Sequence, residues 1–126
     1  MLPFEFQHLP GKPVSEQLVF SVKKALAKGQ LKPGDPFPSV RTLSREIRIN
    51  PNTAQKALSQ LTQAGILEIT PGIGARVRHQ TKLSAAETAA VLDEPMETLV
   101  IEAKRLGLTL DTLEARLRHF WKDLNR

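Results

Sequence analysis

Pro38-Ser39-Val40-Arg41-Thr42-Leu43-Ser44-Arg45-Glu46-Ile47-Arg48-Ile49-Asn50-Pro51-Asn52-Thr53-Ala54-Gln55-Lys56-Ala57-Leu58 reads as two helices joined by a short turn. Ser39 offers an N-cap, and Val40, Leu43 and Ile47 recur at i, i+3 and i+7 up to Arg48. Ile49-Asn50-Pro51 ends that run, because the residue before a proline is pushed out of the helical region. Asn50 then becomes the next N-cap with Pro51 at the first helical position. Ala54, Ala57, Leu58 and Leu61 form the buried stripe of the following helix, which runs to Ala64-Gly65. Two helices joined by a turn of about four residues, the second opened by its own cap, make a helix-turn-helix.

Working outward, helical periodicity also starts at Ser15, with Leu18, Val22, Ala25 and Leu26 on one stripe and Gly29 as the stop. Leu31 to Pro38 carries three prolines and a Pro-Gly turn, so it is a rigid connector. Residues 1–14 hold three of the nine prolines and form an extended lead-in, in which Phe4 and Phe6 alternate with Glu5 and Gln7. That alternation suits a short edge strand or an arm packed on the body. Beyond Gly65 the period changes: Ile66 to Thr70 and Ala75 to Arg78 read as strands, with Pro71-Gly72-Ile73-Gly74 turning between them. A hairpin directly after the second helix of a helix-turn-helix is a wing. The expected fold class is therefore mainly α with a small β-hairpin, a winged helix-turn-helix domain over residues 1–82.

Residues 83–126 are helical again. Ser84-Ala85-Ala86-Glu87 fits a capping box opening a short alanine-rich helix to Leu92. Pro95 suits the first position of a second segment carrying Leu99, Val100, Ala103 and Leu106, and Thr109 caps a third carrying Leu110, Leu113, Leu117, Phe120 and Leu124. About 44 residues are too few for a separate core. The apolar stripes therefore need another surface, either the chain's own winged helix or, more economically, the same helices of a twin copy. Leu99, Leu106, Leu110, Leu113, Leu117, Phe120 and Trp121 are the expected dimerisation set of this tail.

Composition narrows the function. The chain has 126 residues, 18 Lys and Arg against 13 Asp and Glu, 40% hydrophobic residues and no cysteine. These are globular values, and they exclude disulfide scaffolds, thiol catalysis and thiolate zinc sites. Residues 1–82 carry 12 Lys and Arg against 5 Asp and Glu, whereas residues 83–126 carry 6 against 8. A basic front and an acidic rear suit two tasks, the front meeting a polyanion. No apolar run reaches the roughly 18 residues of a membrane span, and Met1-Leu2-Pro3-Phe4-Glu5 lacks the features of a secretory signal, so a cytoplasmic protein without a membrane partner is expected. No enzyme is expected either. His8, His79 and His119 are isolated, Ser39 lies in no nucleophile motif, and Gly72-Ile73-Gly74 lacks the context of a phosphate loop. No catalytic residue, metal site or cofactor is evident.

Turning about 100° per residue from Ala54 as the centre of the buried face, Asn52, Lys56 and Ser59 point away from the core, flanked by Thr53 and Gln55. In the major groove of double-stranded DNA, Asn or Gln pairs with adenine and Lys donates to guanine. Asn52, Gln55 and Lys56 are thus the expected base readers, with Thr53 on phosphate. Capping alone would equally account for Asn50. Gly72 and Gly74 allow a tight wing tip followed by Arg76, whereas Arg45 and Arg48 read as solvated helix charges. A winged helix used as a protein-interaction module is the competing reading. The polar Asn52, Gln55 and Lys56 argue against it, since a partner-binding face favours apolar or aromatic anchors. A small-molecule effector stays open, because nothing in the sequence points to one.

Five linked motifs carry a resemblance. They are Leu31-Lys32-Pro33-Gly34-Asp35, Pro38-Ser39-Val40-Arg41-Thr42-Leu43, Asn50-Pro51-Asn52-Thr53-Ala54-Gln55-Lys56-Ala57-Leu58, Gly65-Ile66-Leu67 and Gly72-Ile73-Gly74. Together they resemble the GntR family of bacterial transcriptional regulators, and the Asn-Pro-Asn-Thr opening with the short helical tail resembles its YtrA-like branch. The resemblance implies a homodimeric DNA-binding regulator whose tail dimerises and whose gene lies near transporter operons. It also implies that Ser39 and Arg41, in the family's Pro-Ser-x-Arg motif, reach DNA from the start of the first helix of the pair. A small dimer without an activation surface is most simply a repressor on a palindromic operator. Two departures stand out: Asn50-Pro51 and Gln55 replace the Ser-Arg and Arg of many members, and Ser15 replaces the usual aromatic of helix one.

Overall fold

Leu18, Val22 and Ala25 are fully or almost fully buried along one stripe of α1 (Val14–Ala27). They share a core with Ala54, Ala57, Leu58 and Leu61 of α3 (Pro51–Gln63) and with Leu43 of α2 (Val40–Ile47). The computed structural model describes residues 2–125, so Met1 and Arg126, the outer limits of the two expected regions, lie outside the described residues. The chain divides into two compact units, one ending at Gln80 and one starting at Thr81.

In the first unit α1 packs on α3, and α3 packs on α2 and on the strand that follows it, β2 (Leu67–Thr70). The sheet has three strands in the order β1-β3-β2, all antiparallel: β1 (Pro36–Phe37), β2 (Leu67–Thr70) and β3 (Gly74–Val77). The third strand corrects the two-stranded wing: the last part of the proline-rich connector pairs with β3, Pro36 opposite Arg76 and Phe37 opposite Ala75. Proline is acceptable there because an edge strand leaves one row of N–H groups unused. Gly34 N–H to the Val77 carbonyl, 2.8 Å, and Val77 N–H to the Asp35 carbonyl, 2.9 Å, extend the pairing.

Of the two readings of the lead-in, the arm is the one seen. Phe4 is buried and its ring stacks on Phe37, with centroids 5.7 Å apart and planes 3° from parallel. Farther along, the buried Gln17 amide accepts from Leu9 N–H at 2.6 Å and donates to the carbonyls of Leu9 and Lys12, both at 2.8 Å. A side-chain amide thus supplies the pairing that a neighbouring strand would have supplied.

Both helices of the pair start on the caps read from sequence. Ser39 accepts from Thr42 N–H at 3.2 Å and Asn50 accepts from Asn52 N–H at 2.8 Å. Helix α2 ends on Arg48, which is left-handed at φ 62°, the one non-glycine residue with positive φ among the described residues.

The second unit holds two helices rather than three. Helix α4 (Ala85–Arg105) runs unbroken through Pro95, where the sequence suggested a new start, and α5 (Leu110–Asp123) follows after Gly107 and the Thr109 cap. A proline inside a helix removes one N–H, here the partner of the Val91 carbonyl. Strong helix formers on both sides, including Ala85, Ala86, Ala89, Ala90, Leu92, Glu94 and Met96, outweigh that loss. The capping box is complete: Ser84 Oγ accepts from Glu87 N–H, and the Glu87 carboxylate accepts from Ser84 N–H, both at 3.1 Å.

Two tests follow from these ties. Gln17→Ala leaves the Leu9 and Lys12 backbone groups without their partner and should lower unfolding stability by about 1–3 kcal/mol, with faster amide exchange at Leu9. The backbone N–H of Ser84, and then its hydroxyl, hold the Glu87 carboxyl below its ordinary value. A depressed carboxylate stabilises above its unfolded value, and that help disappears as pH falls through the lowered one. The Ser84 amide resonance should therefore shift with a midpoint at lower pH than that of an unpaired glutamate.

Candidate nucleic-acid interface

The sequence of α3 separates two faces. Ala54 and Ala57 are completely buried, Leu58 and Leu61 nearly so, whereas Asn52, Gln55, Lys56 and Ser59 are exposed and Thr53 is half-buried. The outer face contains no carboxylate. Gln55 Nε2 donates to Ser59 Oγ at 3.2 Å, one turn farther on. That bond is exposed and neutral, so it is readily exchanged for another partner.

The charge placed at helix starts is more informative. α1, α4 and α5 each carry an acid in the first turn, Glu16, Glu87 and Asp111, the usual complement to the positive end of the helix dipole. Neither α2 nor α3 does, and α2 places Arg41 there instead. Two adjacent helix starts without an acid at their positive ends are suited to an incoming polyanion.

Arg41 and Arg45 lie four residues apart on α2, both exposed, and line one open hollow with Val40, Ser44, Ile49 and Pro51. The structure thus brings Arg41 to the start of α3, and with it Arg45, which the sequence left among solvated charges. The i, i+4 spacing to Arg41 was the available signal. Ser39 and Asn50 have their side-chain oxygens engaged as caps, with the Ser39 hydroxyl also donating to Thr42 Oγ1 at 3.2 Å.

At the wing, Gly72 and Gly74 have φ of 80° and 110°, which lets Thr70 stand opposite Gly74 across a three-residue loop. Arg76 is exposed on β3, with Glu68 opposite it in register. Ile73, at the tip, is 68% exposed and was not singled out from sequence.

In the second unit, Leu99, Leu106, Leu110, Leu117, Phe120 and Trp121 are exposed, Trp121 at 72%, and Leu113 is half-buried. Leu92 and Met96 are exposed as well. With Pro95 inside α4, Leu92, Met96, Leu99, Ala103 and Leu106 follow one another at alternating spacings of four and three. Leu110, Leu113, Leu117, Phe120 and Leu124 repeat that spacing on α5 and its cap. Such a spacing is the pattern by which helices pack against one another. Splitting the tail at Pro95 hid the first half of it.

Residues 14–77 match the family described as bacterial regulatory proteins, gntR family. The chain is 34% identical over 113 residues to the HTH-type transcriptional repressor YtrA of Bacillus subtilis, covering 89% of this chain and 87% of that one. Its fold is similar to that of a transcriptional antiterminator from Listeria monocytogenes EGD-e, with a TM-score of 0.87, 25% identity, and 97% and 93% of the two chains covered. It is also similar in fold to YtrA from Sulfolobus acidocaldarius, with a TM-score of 0.56 at 20% identity, over 97% and 99% of the chains.

Asn50→Ala removes the α3 cap and should cost about 1 kcal/mol in chemical denaturation, whereas Asn52→Ala, on the exposed face, should change stability by no more than about 0.5 kcal/mol.

Proposed function

The chain belongs to the gntR family of bacterial regulatory proteins as a YtrA-like, DNA-binding transcriptional regulator, and we propose that it is a homodimeric repressor of a palindromic operator. The observation that carries the reading is the pair of acid-free helix starts at α2 and α3, next to an outer face made of Asn52, Gln55, Lys56 and Ser59. Asn52, Gln55 and Lys56 read bases in the major groove, and Thr53 holds phosphate. Ser39 and Asn50 fix the two helix starts, and Arg41 grips the backbone beside them. The wing turn at Gly72 and Gly74 brings backbone and Arg76 toward the adjacent groove. The tail joins two copies through the seams of α4 and α5, because exposed apolar stripes of this length are covered by a second copy at low cost. Two-fold symmetry then demands an inverted repeat. No cofactor enters this mechanism. The B. subtilis relative named a transcriptional repressor supports repression, and the YtrA-like character supports a cytoplasmic regulator acting on a transport operon.

The test is selection of duplex sites from random DNA by the purified chain with no small molecule added. The expected result is an enriched inverted repeat. Failure to enrich any motif would overturn the proposal and favour a protein partner for the same surface. On the selected site, Arg41→Ala should weaken binding more than tenfold, whereas Arg118→Ala should leave it unchanged. Affinity should fall with salt at a log–log slope near −7, for about eight neutralised phosphates per dimer. Leu117→Glu should sediment as a monomer and lose the inverted-repeat preference while its winged helix still melts cooperatively.

A further inference from the structure

The turn between α2 and α3 keeps an arginine where glycine would be easier to accommodate. Arg48 closes α2 at φ 62°, ψ 52°. Glycine takes that conformation freely, while a long side chain does so at a cost. The cap itself uses only the Arg48 backbone N–H, which bonds the Ser44 carbonyl. The guanidinium is exposed and has no hydrogen bond or ion pair among the described residues. The side chain thus makes no contact that the fold needs, and a left-handed residue of this kind points to a function when a use for it is in view.

The N-terminal arm supplies the use. It is fixed at Phe4, stacked in the core, and at Leu9, tied to Gln17. The span between these anchors places His8 at a hollow of about 250 Å³ that Arg48, Asn50 and Thr53 also line. No carboxylate lines this hollow. His8 is exposed and, like Arg48, has no hydrogen-bond or ion-pair partner among the described residues. Two nitrogen-donor side chains, forty positions apart in sequence, thus converge on the acid-free start of α3. The hollow shares Ile49 with the one that holds Arg41 and Arg45.

We propose that Arg48 and His8 form a second clamp on the sugar–phosphate backbone of double-stranded DNA, flanking the bases that α3 reads. The inference rests on the DNA-binding reading and extends it. The planar guanidinium matches a phosphate in bidentate fashion, and the imidazole N–H adds a donor from the arm. Contacts to the backbone alone add affinity and register without sequence preference.

The experiment uses the full chain and the duplex site that it selects, with Arg48→Gly, His8→Ala and Arg41→Ala measured beside the unaltered protein. Arg48→Gly should bind about five- to tenfold more weakly at ~0.1 M salt, with the log–log salt slope flattened by about 0.9 for each phosphate no longer neutralised. Its ranking of competing sequences should be unchanged and its melting temperature equal or higher, since glycine relieves the left-handed turn. His8→Ala should lose about two- to fivefold in affinity, its ranking of competing sequences likewise unchanged. Unchanged affinity and slope in Arg48→Gly, with Arg41→Ala still impaired, would overturn the clamp and leave the DNA reading standing. A lowered melting temperature in Arg48→Gly would also overturn it, by making the arginine structural. Normal binding by His8→Ala would remove the arm from the clamp. Selection of no site by the unaltered chain would overturn both readings together.

Discussion

The close approach of α1 and α2 to α3 through Ala54 and Ala57 is the constraint on which the first unit depends. Both side chains are fully buried and neither is larger than a methyl group. A small residue at a helix crossing lets the backbones come near, and any larger one would force neighbouring side chains off their preferred rotamers, at about 1–3 kcal/mol. Leu58 and Leu61 extend the same stripe toward Leu67 and Val77, so one narrow row of four side chains fixes α3 against α1, α2 and the sheet. The rest of α3 is exposed, save for the half-buried Thr53, Gln60 and Thr62. The two helix starts thereby face outward together, and a regulator needs that much from its scaffold.

The arm depends on the same unit but is held by different physics. Aromatic stacking anchors one end, Phe4 on Phe37, and amide hydrogen bonding anchors the other, Gln17 on Leu9 and Lys12. Phe37 is therefore engaged twice, as a core side chain and as a residue of the edge strand β1. A proline-rich connector that closes a sheet edge while supporting an arm covers two exposed liabilities at once: an unpaired strand and a floppy terminus.

Much of this was legible in the residues. The caps at Ser39, Asn50, Ser84 and Thr109, the proline at the start of α3 and the period change after Gly65 are local signals, and the elements they mark begin where they were expected within a residue or so. The misses have non-local causes. β1 is two residues long and exists only because β3 is beside it, so no pattern within Pro36-Phe37 announces it. Pro95 is a helix starter by local rule, and only the summed preference of its neighbours carries α4 through it. At the candidate interface the outward face of α3 could be read by rotation alone. The left-handed conformation of Arg48 and its nearness to His8 could not, because a turn conformation and a forty-residue separation leave no periodic trace.

The division of α3 into a four-residue buried row and a polar outer face has an evolutionary consequence. Substitutions at Asn52, Gln55, Lys56 or Ser59 leave the packing untouched, and exposed sites of this kind typically change stability by less than about 0.5 kcal/mol. In the proposed reading, selection on what the protein recognises and selection on whether it folds therefore act on separate residues of one helix. After gene duplication, daughter copies can drift toward new operators through single replacements, with no destabilised intermediate along the way.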